Sequence, residues 1–189
     1  MNTSRPVPWS RIVYTRTAVI LHWLIGIAIL AEVGFGLYLR EIARGSPERG
    51  PAVNLHKSIG LVIGLAILVR LVWRFTHSPP PLPSDIPRWQ SVAARANHTA
   101  MYLCMIVIPF SGYAASNFSK HGINLFNRWV LPPWGSDAPQ VYTVLNTLHD
   151  VVAYVLLGLV VVHVVATLKH AWIDRDRPFA RLSLRHPNS

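Results

Sequence analysis

Nine histidines stand in this 189-residue sequence. Five of them, His22, His56, His98, His149 and His163, fall within or beside long apolar runs. An imidazole in hydrocarbon is costly unless it has a partner or a task. Any one of them is explained well enough as a hydrogen-bonded link between helices. Agreement in depth and face among several needs more. His149 and His163 are 14 residues apart in one run. On a helix that sets them about 21 Å apart along the axis and about 40° apart around it. Two imidazoles on one stripe, near opposite ends of one span, suit two stacked haems that share a helix. His170 is a rival to His163, but it lies about 31 Å from His149, beyond the hydrocarbon core, and next to Lys169.

The elements that must position these residues are four apolar runs. They extend from about Thr17 to Leu39, Ala52 to Trp73, Asn97 to Ser116 and Tyr142 to Leu168. Each is long enough to cross a bilayer core, and backbone groups in lipid must bond within the segment, so each is expected to be a helix. Breakers separate them: Gly45 to Pro51, a proline-rich stretch from Ser78 to Pro87, and Lys120 to Pro139. Pro109 falls inside the third run and predicts a local kink. The expectation is an all-α integral membrane four-helix bundle, one domain over residues 1–189, with haems between the helices.

Charge agrees with that reading. Only 14% of residues are charged, against a 51% hydrophobic share. The net charge of +10 is spread between apolar runs rather than along one face, which argues against nucleic acid. Twelve Lys and Arg residues flank one side of the four-run layout: Arg5, Arg11, Arg16, Arg70, Arg74, Arg88, Arg95, Lys169, Arg175, Arg177, Arg181 and Arg185. Six flank the other: Arg40, Arg44, Arg49, Lys57, Lys120 and Arg128. Positive residues stay inside, so both termini are expected in the cytoplasm of a bacterial cell, with the protein in the inner membrane. The basic N-terminus leads into a run too long for a signal-peptide core, which reads as a retained span. The single cysteine, Cys104, excludes an internal disulfide, and no CxxCH motif for covalent haem attachment is present.

Depth then sets the pairs. His22 enters the first run and His163 leaves the fourth on the cytoplasmic side, so they are level. His56 and His149 match on the other side. Each iron would have two axial imidazoles and no open position, which suits electron transfer. Haem propionates need cations. Arg70 is 14 residues after His56, on nearly the same face and level with the cytoplasmic haem. Arg74 is a second candidate, though it also reads as a residue snorkelling to the interface, and Lys57 is a third for the outer haem. His98 and Tyr102 are candidates for a quinone site, and His98 also for replacing His22. Lys120, His121 and Arg128 read either as an electropositive mouth for an anion or as a solvated loop. Glu32 lies deep in the first run, either to carry protons or to pair with a cation. Gly60 and Gly64 permit a close approach by a helix or a flat macrocycle. Trp23, Trp73, Trp129, Trp134 and Trp172 read as an aromatic belt.

These residues resemble the bacterial cytochrome b561 family. The resemblance rests on Leu21-His22-Trp23, on Asn54 to Gly60, and on Arg70 to Arg74 followed by Ser78-Pro79-Pro80-Pro81. It rests also on His98 with Tyr102, Pro109 with Gly112, and the series His149, His163, His170. It covers about residues 10 to 182. It implies two haem b groups held by His22, His56, His149 and His163, and electron exchange with the quinone pool, ubiquinone being the expected acceptor. One kind of member is similar to a superoxide oxidase; others resemble subunits that take electrons from a partner dehydrogenase or cytochrome c. Glu32 lies outside the shared pattern. A membrane protein without redox function, its histidines structural, is the alternative from another class.

Overall fold

The computed structural model describes residues 14–77 and 87–174. Arg5, Arg11, Ser78 to Pro81, Arg175, Arg177, Arg181 and Arg185 lie outside these. Four long helices dominate: α1 (Arg16–Glu41), α2 (Arg49–Thr76), α3 (Arg88–Asn117) and α4 (Pro139–Lys169), the last continued by a π-helical turn, His170–Asp174. All four are long and apolar enough to cross a membrane. Their large apolar side chains point mostly outward, Leu24, Ile27, Leu65, Val72 and Val165 among them. Water would not tolerate that surface, whereas lipid does.

Local chemistry starts the helices. Thr15 caps α1, its Oγ1 accepting from the Ala18 N–H. Proline, which has no N–H to leave unsatisfied, stands before α3 at Pro87 and opens α4 at Pro139. At its far end α1 is closed by Arg49, which donates to the carbonyls of Leu39 and Ile42. Helix α3 begins nine residues before the apolar run that predicts it. Nothing between Arg88 and Asn97 breaks a helix, so the backbone continues past the hydrocarbon edge. The helix also passes through Pro109 without ending. Gly64 of α2 makes room for that ring: a Cβ there would stand 3.1 Å from the Pro109 Cβ.

Helices adjacent in sequence pack side by side, α1 on α2, α2 on α3 and α3 on α4. The buried core is a short apolar plug at mid-height, made by Ile25, Ile63, Ile67, Cys104, Met105 and Leu156, with Ile29 packed against it. Leu156 is seven residues from both His149 and His163, and Ile63 is seven from both His56 and Arg70. The plug therefore divides the bundle into two ends. At one end lie the α1–α2 turn and the α3–α4 connection; at the other lie the start of α1 and the end of α4.

The α3–α4 connection holds an element the sequence did not announce. Strands β1 (Ile123–Leu125) and β2 (Trp129–Leu131) form a small antiparallel hairpin. Its turn puts Phe126 and Asn127 at positive φ, 49° and 58°. Asn tolerates that region; a phenylalanine there is strained. Ser58 of α2 offsets the strain. It is fully buried, accepts the Phe126 N–H at 2.8 Å and donates to the Asn54 carbonyl at 2.6 Å. Asn54, Lys57 and Pro51 add hydrogen bonds to Asn127 and Gly122. The hairpin is thus pinned onto α2. Ser58→Ala is expected to orphan the Phe126 N–H at a cost of about 1–3 kcal/mol. Amide exchange at residues 126–128 should quicken while the helices stay protected; unchanged exchange would refute the role given to Ser58.

Candidate functional site: two histidine layers

A 14-residue interval repeats on every helix of the bundle. On α1 it joins His22 and Gly36, on α2 His56 and Arg70, on α3 His98 and Gly112, and on α4 His149 and His163. Two layers result, separated by about 21 Å along the helices. The layer at the hairpin end holds Gly36, His56, Gly112 and His149. The layer at the other end holds His22, Arg70, His98 and His163.

At the hairpin end, the His56 and His149 rings face each other with centroids 6.1 Å apart. The His149 Nδ1–H donates to the Ile108 carbonyl at 2.9 Å. A carbonyl only accepts, so that nitrogen carries the proton and Nε2 keeps its lone pair. Both rings are backed by a glycine. A Cβ on Gly36 would stand 3.3 Å from His56 Cε1, and one on Gly112 would stand 2.9 Å from His149 Nδ1. Sequence reading did not single out Gly36 for this, although its interval from His22 was a signal. His56 Nδ1 lies 2.7 Å from Glu32 Oε1, so Glu32 meets a histidine rather than a lysine or arginine.

These rings stand on the wall of a cavity of about 740 Å³, also lined by Gly60, Lys57, Tyr142 and Asn146. That size is ordinary for a cofactor site, about 300–1,000 Å³. Arg40, Arg44 and Arg49 stand at its rim, and Arg40 pairs with Asp150 at 2.9 Å and lies over the Tyr154 ring. Lys57 donates to the Gly122 carbonyl at 3.0 Å, tied to the hairpin. Lys120, His121 and Arg128 are exposed on or beside the hairpin and do not line the cavity. Lys120 lies 3.6 Å from Asp137.

At the other end three histidines converge. His163 faces His22 with centroids 6.3 Å apart and His98 at 5.3 Å. Arg70 is drawn in among them. It donates to the Ala18 carbonyl at 3.1 Å and to the Tyr102 hydroxyl at 3.2 Å, and its Nη2 lies 3.4 Å from His22 Nδ1. Arg74 stacks over the Tyr102 ring at 5.3 Å. The sequence-predicted quinone candidates, His98 and Tyr102, thus belong to the same cluster as the predicted propionate cations.

Both pairs have the spacing that a haem would require. Metal–imidazole bonds are about 2 Å and each ring centre is about 1 Å from its nitrogen, so two rings bound to opposite faces of one iron stand about 6 Å apart. The pairs at 6.1 and 6.3 Å meet that spacing; His98 and His163 are too close for it. Among the described residues, no three His, Cys, Asp or Glu side chains converge to hold a bare metal ion.

Comparison with known proteins points the same way. Residues 13–182 match the family model for prokaryotic cytochrome b561. The chain is 33% identical to cytochrome b561 homolog 2 of Escherichia coli (strain K12) over 162 residues, covering 85% of this chain and 86% of that protein. It is 24% identical to cytochrome b561 homolog 1 of the same organism, over 91% and 97% of the two chains. It is 25% identical to cytochrome b562 of Cereibacter sphaeroides, over 89% and 94%.

Proposed function

The chain belongs to the prokaryotic cytochrome b561 family, a multi-pass bacterial membrane cytochrome of b type that transfers electrons, and on that premise we propose that it holds two haems, one per histidine layer, and delivers electrons to ubiquinone. His56 and His149 hold the first haem, and His22 and His163 the second. The observation that carries this is the pair of ring separations, 6.1 and 6.3 Å, repeated at a 14-residue interval along α4. Bound haem supplies one-electron iron chemistry; the protein supplies the rest. Its paired imidazoles would hold each haem from two helices and leave the iron no open position for oxygen. Arg70 stands level with His22 and can turn to a propionate, with Arg74 and Tyr102 behind it. The apolar plug of Ile29, Ile63, Met105 and Leu156 keeps water out between the layers. The hairpin end faces the periplasm and both termini face the cytoplasm, in accord with the Lys and Arg distribution. His98 and Tyr102 lie where a quinone head group could meet the inner layer.

For the donor we favour superoxide, which would give up one electron at the periplasmic layer and leave as oxygen. Arg40, Arg44 and Arg49 at the cavity rim support this reading, since they would gather a small anion. Lys120, His121 and Arg128 extend the same positive field across the hairpin. A partner dehydrogenase or cytochrome c is the second reading.

Dithionite-reduced minus oxidised spectra, with haem counted per chain as pyridine haemochrome, test the core. Two b haems per chain are expected; one or none would overturn the pairing. Superoxide pulsed onto the oxidised protein in ubiquinone-loaded vesicles tests the donor. Haem reduction followed by quinol formation is expected, and no reduction would turn the choice to a partner protein.

A further inference from the structure

Glu32 is a carboxylate placed at depth in a membrane helix, where such a group is expensive and usually functional. Its side chain is 12% exposed and its Oε1 lies 2.7 Å from His56 Nδ1. The contact is a close approach of charge rather than an aligned hydrogen bond, since neither atom makes a hydrogen bond among the described residues. Helix α1 brings three residues of one face to that ring, at i, i+3 and i+4. Glu32 offers an oxygen, Phe35 stands edge-on with centroids 6.1 Å apart, and Gly36 leaves the space a Cβ would fill. The opposite ring is treated differently. His149 meets a neutral carbonyl, that of Ile108, at 2.9 Å.

A carboxylate this close to the Nδ1 of a ligating histidine favours the tautomer with its proton there and makes the ring a stronger donor through Nε2. Stronger donation, with a negative charge nearby, favours ferric over ferrous iron. At the other end the neighbouring charge is of opposite sign: the Arg70 guanidinium lies 3.4 Å from His22 Nδ1. We propose that Glu32 is a positioning residue that orients His56 and lowers the midpoint potential of the hairpin-end haem below that of its partner. This rests on the reading that His56 and His149 hold a haem. Its consequence is direction: an electron that enters at the hairpin end moves downhill toward the end where α1 starts and α4 finishes.

The test is a spectroelectrochemical titration of purified wild-type, Glu32→Gln and Glu32→Asp proteins, with haem counted first. Wild-type protein lacking two haems would defeat the functional reading itself. With two haems present, the hairpin-end haem is expected to rise in potential in Glu32→Gln by at least a tenfold change in its redox equilibrium, about 59 mV for one electron. Glu32→Asp, which keeps the charge, should fall between. The low-spin ferric EPR signal of that haem should shift in Glu32→Gln while the other signal stays in place. Unchanged potential and EPR in both variants, or an equal rise at both haems, would overturn the proposal. Should Glu32→Gln fail to fold, Glu32→Asp decides alone: a shift confined to the hairpin-end haem supports the role and no shift refutes it.

Discussion

Replacing His149 by alanine is expected to empty the haem site at the hairpin end and spare the other, halving the pyridine haemochrome per chain. The reason is the make-up of the two layers. At the hairpin end His56 faces His149 alone, and among the described residues no third histidine stands in that layer to take its place. With alanine at 149 the iron would depend on His56 only, and the carbonyl of Ile108 would lose its donor. His163→Ala is expected to empty the other layer in the same way, because His163 is the ring that both His22 and His98 face. His22→Ala is expected to act in the same way, since His98 stands too close to His163 to pair with it across an iron. Two haems retained in either His149→Ala or His163→Ala would refute the assignment of axial ligands.

Gly112→Val should be nearly as severe, although it removes no ligand. A Cβ at that position would stand 2.9 Å from His149 Nδ1, closer than Cβ atoms come, and 3.1 Å from Cε1, a tight contact. The ring cannot step aside without breaking its bond to Ile108, and that carbonyl is held on α3 beside Pro109. Overpacking of this kind costs about 1–3 kcal/mol, enough to weaken haem binding at the hairpin end by about 5- to 150-fold. Gly158→Ala is the control, because a Cβ there meets nothing within 4 Å. It should retain both haems and melt no lower than the parent. A Gly112→Val protein with two haems and an unaltered difference spectrum would show that the cradle is looser than these distances imply.

Much of this protein was determined by its sequence alone. The number of helices and their apolar character follow from run length, because lipid forces backbone polar groups to pair within a segment. The 14-residue interval between His149 and His163 is equally local, since helical geometry converts it to one stripe and one distance without knowledge of any neighbour. The hairpin escaped notice because three-residue strands carry almost no pattern of their own; the hydrogen bond that pins their turn runs from Phe126 to Ser58, more than sixty residues away. The roles of Gly36 and Gly112 were equally hidden. Each has an interval of 14 residues from a histidine on its own helix, but a glycine becomes a cradle only when a ring from another helix is pressed against it. The contact of Glu32 with His56, rather than with a cation, and the tie of Lys57 to the Gly122 carbonyl were decided by which faces of α1, α2 and the hairpin meet. Periodicity along one chain fixes depth and angle on one helix. The rotation of each helix against its neighbours comes from packing side chains distant in sequence, and that alone placed the carboxylate, the glycines and the cations around the rings.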